Sequence, residues 1–196
     1  MQIEKEHSEM VGTLAKRGGL ILASMTPLKM HCLHMAVGVA GECGEIQDAI
    51  GFPIDRENVV EELGDAEFYM EGVRQGYGIN RADTLPDAES PGANNRTSLE
   101  YLNDCASSLN IAGCELLDKV KKHVIYNKEP DIEHIKQYLR KLEFYMAALR
   151  VYFKMSREDI LAHNIDKLIK GKDGKPPRYH GGQYSDEAAQ TRADKA

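Results

Sequence analysis

An all-α fold is predicted by three features of this 196-residue chain. Apolar residues fall at helical spacing in the long segments, as in Val39, Ile46 and Ile50, or Val59, Val60 and Leu63. Helix boundaries are marked by capping residues and by Gly and Pro. No run of alternating β-branched residues, the usual mark of a strand, occurs anywhere.

The elements follow in order. A short amphipathic helix is expected over 3–17, ending at Gly18 and Gly19 and packing on the body of the protein. A second helix covers 27–50, with Pro27 suited to its first turn. Gly51, Pro53 and Asp55 break it and cap a third over 56–75, which stops at Gly76 and Gly78. Asn80 and Asp83 read as a capping box for a further turn. Residues 86–97, rich in Pro, Gly, Asn and Ser, form a linker. Thr97 and Glu100 read as the capping box of a long helix over 98–123. Another helix covers 131–153, and Ser156 with Asp159 caps one ending near Gly171. The Gly-, Pro- and charge-rich tail has the composition of a disordered segment.

The apolar content of 42% suffices for a globular core. A net charge of −6 argues against general nucleic-acid affinity, and no apolar run is long enough for a membrane span. Without a signal peptide, the protein is expected to be cytoplasmic. Cys32, Cys43, Cys105 and Cys114 lie in helical patterns without CxxC spacing, so they read as reduced core residues.

The chemistry concentrates between His34 and Met70. Glu42 with Glu45, and Glu62 with Asp65, form two pairs spaced three apart, so each pair shares a helix face. A short break between the helices makes an antiparallel hairpin that turns the four carboxylates toward one another. Such a cluster repels itself unless a cation sits in it, and oxygen-only ligands select hard cations, Mg²⁺ or Mn²⁺. Gly38, Gly41 and Gly44 imply that a backbone or ligand comes close. His34, shortly before Glu42 and near its face, fits either packing or contact with a base.

The chain repeats itself. The segment Glu67-Phe-Tyr-Met70 recurs as Glu143-Phe-Tyr-Met146, and Arg74, Arg81, Asp83 and Leu85 recur as Arg150, Arg157, Asp159 and Leu161. Upstream, Glu45-Ile-Gln-Asp48 matches Glu115-Leu-Leu-Asp118. The second copy has lost the acidic face, with Ala112, Tyr138 and Lys141 where Glu42, Glu62 and Asp65 stand; only Glu115 remains. This divides the chain into a first repeat over 1–85, the linker 86–97, a degenerate repeat over 98–170 and a tail over 171–196.

The pattern Glu42-x-x-Glu45 followed by Glu62-x-x-Asp65 resembles the signature of the MazG-like, all-α nucleotide pyrophosphohydrolases, relatives of dimeric dUTPases and phosphoribosyl-ATP pyrophosphohydrolases. The phrases AGECGE and VVEELGDAEFYMEG are similar to its phage-encoded branch. The resemblance implies a pseudo-dimeric bundle of two duplicated helical hairpins. It also implies Mg²⁺-dependent cleavage of a nucleoside triphosphate to monophosphate and pyrophosphate, with Glu42, Glu45, Glu62 and Asp65 as metal ligands. One of these, or Glu61 beside them, would orient the attacking water. The stretch VKKHVIYNKEPD and the segments around Asn164, Lys167, Arg178 and Tyr179 resemble other parts of the family's site. Lys121, Lys122, Tyr126, Lys128, Asn164, Lys167, Arg178 and Tyr179 are therefore expected to contact substrate, facing the carboxylates from the second copy. The expectation is one nucleotide site per chain. Assembly into a homodimer of pseudo-dimers is compatible with it but not needed. A non-enzymatic nucleotide-binding regulator, and a dUTPase-type or alarmone-type hydrolase, are the alternatives.

Overall fold

The computed structural model describes residues 2–86, 98–171 and 174–192. Among them there is no β-strand. The elements are α1 (Gln2–Leu14), α2 (Gly18–Leu22), α3 (Pro27–Ala49), α4 (Arg56–Tyr77), α5 (Leu99–Tyr126), α6 (Ile132–Phe153), α7 (Arg157–Ile165) and α8 (Asp186–Thr191). A 3₁₀ turn, Arg81–Thr84, follows α4, and a π-helical turn, Asp166–Lys170, continues α7.

Of the expected caps, Asp55, the Ser156–Asp159 box and Gly78 form; Thr26, Ser98 and Asp131 also cap helices, although the sequence did not single them out as caps. Thr26, Asp55, Ser98 and Asp131 each accept a hydrogen bond from a backbone N–H in the first turn of α3, α4, α5 and α6. Ser156 and Asp159 make a reciprocal capping box on α7. Gly78 ends α4 in the left-handed conformation. Three expectations fail locally. Gly18 and Gly19 open α2 instead of closing α1. The Asn80 side chain makes no cap; its carbonyl accepts from the Asp83 N–H instead. Ser98 caps α5, while Thr97 lies outside the described residues, as does all but the first residue of the expected linker.

Helix α3 is the centre of the bundle, packed on α4 and on α5, while α5 packs in turn on α6. Its Cys32, Met35, Ala36, Val39, Cys43 and Ile46 are buried at spacings of three and four. Close approach of α3 and α5 depends on Gly113, where a Cβ would stand 3.1 Å from the Cys43 sulfur. The two helices run antiparallel. Asn110 donates to Gln47 at one end, and Lys29 donates to Asn127 at the other. Leu63, Leu109, Leu116, Leu139 and Leu142 complete the core, each adding about 1.5–3 kcal/mol by burial. Helix α1, expected to pack, buries no residue; Ile3, Met10, Val11 and Leu14 stay exposed. Cys114 is also exposed, whereas the other three cysteines are buried.

The hairpins α3–α4 and α5–α6 are joined by crossed ion pairs. Glu67 of the first accepts from Arg150 and Arg157 of the second, and Glu143 of the second accepts from Arg74 and Arg81 of the first. The packing is crossed in the same sense, since α7 packs on α4 and the 3₁₀ turn after α4 packs on α6. The described residues of the tail are tied to the body, contrary to the expectation from composition. Arg178 and Tyr179 donate their N–H groups to the carbonyls of Lys167 and Leu168, which ties it to the π turn.

Candidate metal centre

The α3–α4 hairpin brings one oxygen each of Glu42, Glu62 and Asp65 within 4.8 Å of one another. Glu62 and Asp65 are buried and Glu42 partly so. Glu45 is not in this group, although the sequence placed it there. Three residues of helix turn the side chain by about 300°, about 60° short of a full circle. That rotation leaves Glu45 exposed at the edge of the face, where its charge still pushes up the titration of both Glu42 and Glu62.

Burial is the main reason that the Glu42 carboxyl is pushed up to about 9, and the hydrogen bond it shares with Glu62 is the next. Glu62 is raised too, again mainly by burial. The consequence for stability has a definite sign. Between the ordinary value of 4.5 and about 9 the folded chain holds a proton that the unfolded chain has lost. Stability from this group is therefore complete below 4.5 and lost as pH rises through about 9. In EDTA the melting temperature should fall over that range, and Glu42→Gln should remove part of the slope. Superimposable pH profiles for the two proteins would disprove the shared-proton account.

Asp65 is held from α7 and the π turn that continues it. Its Oδ1 accepts from the Asn164 amide at 2.7 Å and its Oδ2 from the Lys167 ammonium at 2.5 Å. Lys167 also reaches Glu61 at 3.3 Å, and Arg192 lies 3.8 Å from Glu61. Lys167 starts from the π turn, a feature that often marks functional sites. Tyr69, one turn after Asp65, lies at the rim. It feels the charges of Glu42, Asp65 and Arg178, and the ring of exposed His34 meets it edge-on at 6.0 Å. The Tyr179 ring lies 5.7 Å from that of Tyr184, tilted by 40°. The sequence did not single out Tyr69 or Arg192. The signal for Tyr69 was its i+4 spacing from Asp65; none marked Arg192. Of the three glycines, only Gly38 makes room for a neighbour, since a Cβ there would stand 2.3 Å from the Tyr69 ring; nothing lies within 4 Å of the Cβ positions of Gly41 and Gly44.

The expected contacts from α5 do not reach this centre. Lys121 and Lys122 both pair with Asp118 of their own helix, at 2.8 and 2.5 Å. Lys122 lines a cleft of the α5–α6 hairpin instead. Tyr126 and Lys128 are exposed at the far end of α5. Their neighbour Asn127 meets Lys29, thirteen residues and thus about 20 Å of helix before Glu42. The antiparallel packing of α5 on α3 sets this separation. The later part of the chain therefore reaches the carboxylates through Asn164, Lys167 and Arg192, not through the α5 loop.

The donor set fits a hard divalent cation. An octahedral Mg²⁺ site with bonds of about 2.1 Å spaces its oxygens about 3.0–4.2 Å apart, so three carboxylates whose oxygens lie within 4.8 Å of one another reach it by closing at most about 1.8 Å per pair. The fold and the site define an all-α protein with a half-buried carboxylate centre on the α3–α4 hairpin, met by α7 and the π turn after it, and no described helix is long and apolar enough to cross a membrane. Compared with known proteins, the chain matches no family model, no curated protein and no solved structure.

Proposed function

We propose that this protein is a divalent-cation-dependent nucleoside triphosphate pyrophosphohydrolase of MazG-like descent, its two hairpins arising by duplication. The observation that carries the reading is the convergence of Glu42, Glu62 and Asp65 with the cationic Lys167 beside them. A divalent cation held there supplies positive charge for phosphate oxygens and acidifies water. Glu42, Glu62 and Asp65 hold it, and Glu45 borders the open side. Lys167 offers a point charge for the phosphate chain, Arg178 brings further positive charge to the rim, and Asn164 keeps Asp65 oriented. Glu61, beside Glu62 and already bridged to Lys167, is placed to orient a water for attack at phosphorus. His34, Tyr69 and Tyr179 make an aromatic rim suited to a nucleobase.

The test is release of pyrophosphate from a panel of ribo- and deoxyribonucleoside triphosphates with Mg²⁺. Turnover of at least one nucleotide, abolished by EDTA, is expected. Binding of nucleotide without any turnover at micromolar protein would instead favour the regulator.

A further inference from the structure

The α5–α6 hairpin holds a cleft of about 480 Å³, bordered by Asn110, Glu115, Asp118, Lys119, Lys122 and Tyr138. That volume is in the range of small-molecule sites. In the repeat it falls where the first hairpin has its carboxylate centre, but its border balances Glu115 and Asp118 against Lys119 and Lys122. Four acids at the first site correspond to Ala112, Glu115, Tyr138 and Lys141 here, and Lys119 and Lys122 replace Ala49 and Phe52. The Lys141 ammonium, in the place of Asp65, pairs with Glu115 at 2.9 Å and sits 5.0 Å over the Tyr138 ring. Lys121 and Lys122 share the single carboxylate of Asp118, which leaves that group of three with one positive charge in excess. Lys122, Lys141, Glu115 and Asp118 are 39–51% exposed in their side chains. Pairs this exposed are weakly held, so an anion can recruit either ammonium at little cost.

We propose that this cleft binds a phosphate-bearing anion, either free pyrophosphate or the phosphate chain of a nucleotide, without a divalent cation. Lys122 and Lys141 supply charge to the phosphates. Asn110 adds an amide, and exposed Ile111 with the Tyr138 ring forms an apolar wall. The proposal is independent of the metal reading of the first hairpin.

Calorimetric titration of the full chain with sodium pyrophosphate, in excess EDTA, tests it. Saturable binding is expected, weakened by about tenfold or more in Lys122→Ala and in Lys141→Ala, the scale of losing one charge-assisted contact. Glu115→Gln, which releases Lys141, should tighten binding, a gain that no loss of structure would give. Lys5→Ala, a lysine exposed on α1, should leave it unchanged. Repeating the titration with ATP identifies the source. Tighter binding than pyrophosphate, with the excess lost in Tyr138→Ala, means a nucleotide; equal binding means the phosphate chain alone. Absence of saturable binding at millimolar pyrophosphate would overturn the proposal, as would binding that survives the Lys122→Ala, Lys141→Ala double variant with its helicity intact.

Discussion

Asp65→Asn should lower metal-dependent nucleotide turnover by at least about a hundredfold, the scale of removing one preorganised electrostatic group. Asp65 is only 9% exposed, and both its oxygens are already engaged, by Asn164 and Lys167. The asparagine keeps the shape and removes the charge, so one oxygen donor of three weakens and Lys167 loses the nearer of its two carboxylates, keeping Glu61. Glu62→Gln should have an effect of the same size. Glu45→Gln should cost less, because its carboxylate lies outside the close group. Glu115→Gln, in the second hairpin, should leave turnover nearly unchanged. The readouts are kcat/KM with Mg²⁺ and, independently, Mn²⁺ binding without nucleotide. Equal losses for Asp65 and Glu115 would contradict a single metal centre in the first hairpin.

The fold class and the long helices were legible because caps and periodic burial are local properties. Asp55 and the Ser156–Asp159 box were read from the sequence, and each makes its bonds. The failures lie where local signals are ambiguous. A Gly pair serves a helix start as well as a stop, which is what Gly18 and Gly19 show. An amphipathic pattern does not specify a partner, and α1 buries nothing. The tail misled by composition, since two backbone bonds to the π turn hold it; bonds of that kind leave no compositional trace.

At the site, the carboxylates came from spacing, but spacing could not separate Glu45 from Glu42. The α5 lysines were expected at the carboxylates by resemblance of sequence, and only the antiparallel packing of α3 on α5 tells which end of α5 meets which end of α3. Asn164 and Lys167 reach Asp65 across about a hundred residues of chain, a proximity that no local pattern encodes. The repeated identities carried more than was read from them. Glu67, Arg74 and Arg81 recur with Glu143, Arg150 and Arg157, and recurrence of charged residues on otherwise apolar helix faces signals a buried ion network.

That network carries the second large effect. Glu67→Ala should destabilise the protein by about 3–5 kcal/mol, the cost of leaving a buried charge without its partner. Glu67 is 2% exposed. Its oxygens accept from Arg157 Nε and Nη2, both at 2.8 Å, and from Arg150 Nη1 at 3.4 Å. Burial already lowers the Arg150 pKa, opposed by the charges of Glu67 and Glu143. Without Glu67, the half-buried Arg157 can turn toward water, but Arg150 cannot. Glu143→Ala should cost about as much. It would strip Arg74, which is 1% exposed, of its 2.7 Å partner and leave that arginine only the Thr84 hydroxyl and the half-exposed Glu71. For a chain of this size, such losses lower the melting temperature by about 10 °C. The exposed Glu133→Ala serves as control and should shift it by no more than about 1–2 °C. Adding Arg150→Met to Glu67→Ala should recover part of the loss, since an apolar side chain then replaces the stranded cation. Denaturant unfolding of the four variants at constant m-value measures these terms. A loss below about 1 kcal/mol for both glutamates would show that the crossed pairs do not hold the hairpins together.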